Sequence, residues 1–227
     1  MSQIKQRLLK IKSQIRHAEF ATGREKGSVQ LLAVSKTKPA SDIVIAYQAG
    51  QRLFGESYLQ EALQKQQALA GFDITWHFIG PIQSNKTKAI ATNFSWVHSV
   101  DRLKIAKRLS EQRPDYLPAL NICLQVNISH EETKAGVTLE QLPTLIDEVR
   151  QLPNICLRGV MAIPEPNTEF ERQCQPYRSL YQAVKSLDLI ELDCFSFGMT
   201  GDLKAAIAEG STIVRIGTAL FGERSYK

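Results

Sequence analysis

Short apolar runs alternate with longer amphipathic segments along most of this chain. Ile4, Leu8, Ile11 and Ile15 recur at helical spacing and predict an opening helix. After Gly23 and Gly27 the pattern changes. Apolar runs at 30–35, 52–55, 74–80, 96–99, 120–127, 156–162, 192–197 and 212–217 read as strands. Between them, 41–49, 59–69, 85–92, 102–112, 139–152, 170–187 and 203–209 read as helices. Asp101 and Pro39-Ala40-Ser41-Asp42 look like helix starts, and Gly50, Gly71 and Gly210 stand where helices should stop.

Strands that alternate with helices pair in parallel through right-handed crossovers. Eight such units predict an α/β chain closed as a (β/α)8 TIM barrel with an extra N-terminal helix. An open, doubly wound sheet is the alternative. It lacks support, because no glycine-rich dinucleotide fingerprint follows the first strand. No linker or low-complexity stretch divides the sequence, so residues 1–227 read as a single barrel domain.

Composition narrows the function classes. At 43% hydrophobic and 22% charged, the chain reads as an ordinary soluble globular protein. Its net charge of +5 is scattered, with no basic run and no aromatic-basic interleaving, which argues against nucleic-acid binding. Cys123, Cys156 and Cys194 lie in apolar, strand-like stretches and read, with Cys174, as buried free thiols. His17, His77, His98 and His130 show no metal-ligand spacing. The absence of a signal-peptide core and of a membrane-length apolar run points to the cytoplasm and to no membrane.

In such a barrel the chemistry sits where the strands end. The first strand ends Leu32-Ala33-Val34-Ser35-Lys36, and alternation places Leu32, Val34 and Lys36 on one face. An amine at the rim of an apolar core is a candidate nucleophile towards aldehydes. The commoner fate of a lone lysine is to snorkel outwards. The seventh strand leaves through Ser196-Phe197-Gly198-Met199-Thr200-Gly201-Asp202, and the eighth through Arg215-Ile216-Gly217-Thr218. Glycines, hydroxyls and a helix start suit an anion such as phosphate. Strand eight must pair with strand one, so these groups converge on Lys36. An amine for an aldehyde beside a cradle for a phosphate describes a pyridoxal 5'-phosphate (PLP) site. Arg215 can only donate, so facing the pyridine nitrogen it would leave that ring a weak electron sink. A surface ion pair with Glu223 is its bland alternative. His77, on strand three, could line the pocket or be a satisfied core histidine. Ser57 and Met161, at the second and sixth exits, complete the candidate cofactor-binding residues.

These residues carry a resemblance. Leu32-Ala33-Val34-Ser35-Lys36-Thr37-Lys38-Pro39, Phe54-Gly55-Glu56, Trp76-His77-Phe78-Ile79-Gly80-Pro81-Ile82-Gln83-Ser84-Asn85-Lys86 and Arg158-Gly159-Val160-Met161-Ala162-Ile163-Pro164 stand in order along the chain. Phe197-Gly198-Met199 and Val214-Arg215-Ile216-Gly217-Thr218-Ala219-Leu220-Phe221-Gly222 follow. Together they resemble the pyridoxal phosphate homeostasis proteins, single-domain relatives of the alanine racemase barrel. The resemblance implies a fold type III PLP barrel and a PLP aldimine on Lys36. It implies a phosphate at the 196–200 and Gly217-Thr218 turns, with Arg215 near the pyridine nitrogen. It also implies a role in intracellular vitamin B6 balance, without established turnover. Two positions depart from the family pattern. Ser57 stands where Asn is usual, and Gly201 where an acidic residue is usual.

Three functions compete. The first is a PLP-holding homeostasis protein with no catalytic residue, whose candidate partners are PLP-requiring apo-enzymes. The second is a PLP-dependent racemase or lyase. Racemases of this barrel type resemble two-domain dimers that borrow a tyrosine from the partner, and here the sequence stops at Lys227, just past strand eight. That favours a monomer and the first reading. The third is a Schiff-base aldolase whose substrate carries the phosphate.

Overall fold

The structure, a computed structural model, describes residues 2–129 and 135–223. Its strands are β1 (Gln30–Val34), β2 (Leu53–Glu56), β3 (Thr75–Phe78), β4 (Trp96–Val100), β5 (Leu120–Val126), β6 (Ile155–Ala162), β7 (Cys194–Ser196) and β8 (Ile213–Ile216). They pair in parallel in chain order, and β8 pairs with β1 to close a barrel. That closure selects the (β/α)8 barrel over the open sheet.

The helices are α1 (Gln3–Ala21), α2 (Ala40–Gln48), α3 (Leu59–Ala68), α4 (Thr87–Asn93), α5 (Leu103–Gln112), α6 (Leu142–Val149), α7 (Phe170–Lys185), α8 (Leu203–Ala208) and α9 (Thr218–Phe221). The extra helix α1 buries Ile4, Leu8, Ile11 and Ile15 against α2, α8 and α9. Ser2 caps it by accepting from the Lys5 amide at 3.3 Å.

Strand alternation divides the apolar side chains into two layers. Leu31 and Ala33 join the core between wall and helices, with Phe54, Phe78 and Val97. Leu32 points the other way and packs inside the barrel with Cys123, Met161, Cys194 and Ile213. A side chain's parity along its strand therefore decides which layer it enters.

Several local expectations need correction. Asp101 does not cap α5; Arg102 occupies the cap position, and Asp101 pairs with it at 2.7 Å. Gly71 ends no helix, because α3 has already closed at Leu69 and Gly71 is not left-handed. Gly50 and Gly210 do adopt φ of 90° and 93°, each just past a helix cap. Proline in its first turn starts α6 at Leu142, three residues later than the pattern suggests. The short α9 was not legible in the apolar pattern. Cys156 is exposed rather than buried, because it stands at the outer beginning of β6. His130, Arg224 and Lys227 lie outside the described residues. Among the described residues, no helix is long and apolar enough to cross a membrane.

Candidate functional site

The carboxyl ends of β1, β7 and β8 meet because the barrel closes between its first and last strands. Leu32 is register partner of Arg215, and Ala33 of Ile216. Alternation continues past the end of β1. The Ser35 amide donates to Gly55 O at 3.0 Å, and its hydroxyl turns outward to Glu56 at 2.6 Å. Lys36 follows, two residues beyond the end of β1. It is half-buried at the rim.

Arg215 lies below the rim and is buried, at 4% exposure. Its guanidinium donates to the carbonyl and the hydroxyl of Ser196, the latter at 2.8 Å, and to Ala162 O at 3.0 Å. All three acceptors are neutral. No carboxylate pairs with this cation among the described residues. Burial lowers its pKa, while Tyr177 and Asp202 oppose the shift. The surface pair with Glu223 is thereby replaced by an interior position.

A polar chain runs from Arg215 through the interior. Ser196 Oγ lies 2.8 Å from His98 Nδ1, and His98 Nε2 lies 2.8 Å from His77 Nδ1. Donor counting assigns the tautomers. Arg215 can only donate to Ser196, so the serine proton goes to His98 Nδ1. His98 Nε2–H then donates to His77 Nδ1, which leaves the proton of His77 on Nε2. That Nε2 is buried with no hydrogen-bond partner. Burial pushes His77 down to about 3 and His98 well below its ordinary value, the latter helped by His77 and Arg215. Both rings are neutral near pH 7. His77 also stacks on Trp96, with centroids 5.4 Å apart.

The seventh exit is a shaped turn. Gly198 has φ +84°, and a Cβ there would come within 2.5 Å of Ala206 Cβ. Asp202 ties the turn. One carboxylate oxygen accepts from the Met199 amide at 2.6 Å, and the other from the Tyr177 hydroxyl at 2.6 Å. Met199 and Thr200 are exposed above it. Gly201 is not left-handed and has open space, so this position would accept a side chain. At the eighth exit, Gly217 abuts β1, where a Cβ would stand 3.3 Å from Val34 O, and Thr218 is exposed. A bare glycine backbone, two exposed hydroxyls and a buried unpaired guanidinium suit a ligand that carries phosphate and an acceptor nitrogen.

Not every candidate reaches that rim. Lys36, Gly198, Met199, Thr200, Gly217 and Thr218 stand at the mouth. Met161 and Ser196 are buried inside the barrel and paired in register, with the Ser196 hydroxyl engaged as above. His77 belongs to the interior chain. Ser57 is half-buried at the second exit, its backbone so close to Gly80 that a Cβ there would meet Ser57 O at 2.1 Å. Sequence reading missed His98, Asp202, Tyr177 and Lys65. His98 shares strand parity with Trp96, and Lys65 recurs with Leu59 and Ala62 on the buried face of α3. Those are the signals that could have found them.

The chain is similar to several known proteins over nearly its whole length. Residues 8–225 match the family model "Alanine racemase, N-terminal domain". A Pseudomonas aeruginosa protein named pyridoxal phosphate homeostasis protein is 58% identical over 226 residues, covering 100% of this chain and 98% of its own. PipY of Synechococcus elongatus, solved without PLP, superposes with a TM-score of 0.86 at 36% identity. That match covers 97% of this chain and 100% of PipY. The same protein solved with PLP bound gives a TM-score of 0.83. An alanine racemase from Clostridium difficile shares the fold at 13% identity, with a TM-score of 0.74 over 92% of this chain and 59% of its own.

Proposed function

Because the chain belongs to the pyridoxal phosphate homeostasis proteins, within the alanine racemase N-terminal domain family, we propose that it holds PLP reversibly and without turnover. Lys36 would supply the amine that holds the cofactor by its aldehyde. When bound, PLP supplies that aldehyde carbon and a pyridine ring that can take up electrons. Thr200 and Thr218, with the Gly198 and Gly217 backbones, would hold the phosphate. Arg215, which can only donate, would face the pyridine nitrogen and leave the ring a weaker electron sink. The role that follows is intracellular PLP balance by a single-domain monomer, with transfer to PLP-requiring apo-enzymes.

The observation that carries this reading is the buried Arg215 guanidinium. Among the described residues its acceptors are all neutral, and it sits on the strand paired with the one that ends towards Lys36. A buried cation without a counter-charge is costly unless a ligand supplies electron density. PLP bound in PipY, at 36% identity to this chain, supports the same ligand here.

The test is borohydride reduction of purified protein supplied with PLP, followed by peptide mapping. A phosphopyridoxyl group on Lys36 supports the proposal, and its absence overturns it. Racemase or lyase activity that disappears in Lys36→Ala would replace the non-catalytic reading. Trapping only with a sugar phosphate would replace PLP itself.

A further inference from the structure

A buried ion network lies on the far side of β1 from the barrel interior. Glu56 ends β2 with outward parity, like Phe54, and is fully buried. Its Oε1 accepts from the Ser35 hydroxyl at 2.6 Å and from Lys65 Nζ at 2.8 Å. Lys65, on the buried face of α3, is 6% exposed. Its ammonium also donates to Ser35 O at 2.7 Å and to Glu61 Oε1 at 2.5 Å. Glu61 Oε1 accepts in turn from the Thr37 amide at 2.6 Å.

Three features give this network a direction. First, its backbone and hydroxyl contacts just past the end of β1 fall on Ser35 and Thr37, the residues on either side of Lys36. Second, Thr37 has φ +64°, a left-handed conformation that a β-branched residue adopts only when its surroundings impose it. Third, a buried ammonium is retained at considerable desolvation cost, and here three acceptors hold it. An apolar side chain on α3 would fill the same space without that cost. What it could not do is grip a carbonyl on one side of Lys36 and, through Glu61, an amide on the other.

We propose that Lys65 is a positioning residue for Lys36, acting with Glu56 and Glu61 from behind the barrel wall. The network fixes the backbone at Ser35 and Thr37. It thereby fixes the backbone from which the Lys36 amine would reach a ligand seated on the seventh and eighth exits. This inference rests on the proposed capture of PLP by Lys36. It assigns no contact between Lys65 and the cofactor. A small misplacement of a reacting group is enough to slow bond formation strongly.

The experiment compares two ligands on three proteins. PLP reports capture through the Lys36 amine, by borohydride trapping rate and by the visible band of the imine. Its aldehyde-free analogue 4'-deoxypyridoxine 5'-phosphate reports phosphate and ring binding alone, by calorimetry. Lys65→Met is expected to slow PLP trapping by about tenfold or more while the analogue binds as in wild type. Glu61→Ala, at a partly exposed position, is expected to slow trapping by about threefold with unchanged analogue binding. It decides the matter if Lys65→Met does not fold. Equal losses for both ligands would mean a merely structural role and overturn the proposal, as would unchanged trapping. Wild-type protein that is never labelled at Lys36 would overturn the PLP reading itself, and this inference with it.

Discussion

Ser196 on β7 and His98 on β4 meet across the barrel interior, with Ser196 Oγ 2.8 Å from His98 Nδ1. The two strands are not neighbours in the sheet. Their contact joins the unpaired Arg215 guanidinium to a pair of neutral histidines, so the floor of the site is a polar relay rather than a purely apolar plug. Barrel interiors are normally filled by branched apolar side chains.

Ser196→Ala removes the only hydroxyl between Arg215 and His98. It leaves a buried ring nitrogen and a guanidinium N–H without that partner. The expected loss of stability is about 1–3 kcal/mol, the cost of a buried polar group left unmade. Urea denaturation measures it. A midpoint equal to wild type would mean that water replaces the hydroxyl.

The histidine pair makes stability depend on pH. His77 titrates at about 3 in the fold, against 6.5 for the free side chain. Between those values the unfolded chain binds the extra proton, so stability rises with pH in that window and levels off above it. Neutral-pH stability is therefore fully present above about 6.5 and is lost progressively as the pH falls towards 3. Glu56 has the opposite sign, because burial raises its carboxyl. Comparison of wild type with His77→Gln cancels that term. The variant should show a flatter slope of unfolding free energy between pH 4 and 6, by roughly one proton. Parallel slopes would refute the depressed titration.

Gly198→Ala introduces a Cβ into a left-handed residue, 2.5 Å from Ala206 Cβ. The helix behind the turn must shift. We expect a loss of about 1–3 kcal/mol in thermal or chemical unfolding. Weaker PLP retention should accompany it, because the displaced backbone is the proposed phosphate cradle. Gly201→Ala, in open space without a left-handed φ, should change stability by less than about 0.5 kcal/mol.

Thr200→Ala should leave the fold intact, since this side chain is exposed at the seventh exit. Its effect belongs to the ligand. Loss of one charge-assisted hydrogen bond to phosphate should weaken PLP retention by roughly 1.5–3 kcal/mol, measured as the dissociation constant by equilibrium dialysis. An unchanged constant would remove Thr200 from the ligand set.

Much of the architecture was legible in one dimension. Short apolar runs between amphipathic segments located all eight strands to within a few residues, because strands buried on both faces read as continuous apolar runs while the helices around them bury only one face. Helix ends were read less well. Asp101 looked like a cap but pairs with Arg102 instead, since a cap depends on backbone angles that residue identity only biases.

The sequence by itself determined which side chains share a face, and so placed Lys36, Arg215 and the glycine exits at one end of a barrel. Those relations are local or follow from closure of eight strands. Tertiary structure alone decided what lies opposite each face. It brought Ser196 to His98 across 98 residues, and Lys65 to both neighbours of Lys36. Such pairings depend on barrel stagger and on the distance at which a helix packs against the wall. No single strand or helix encodes either quantity.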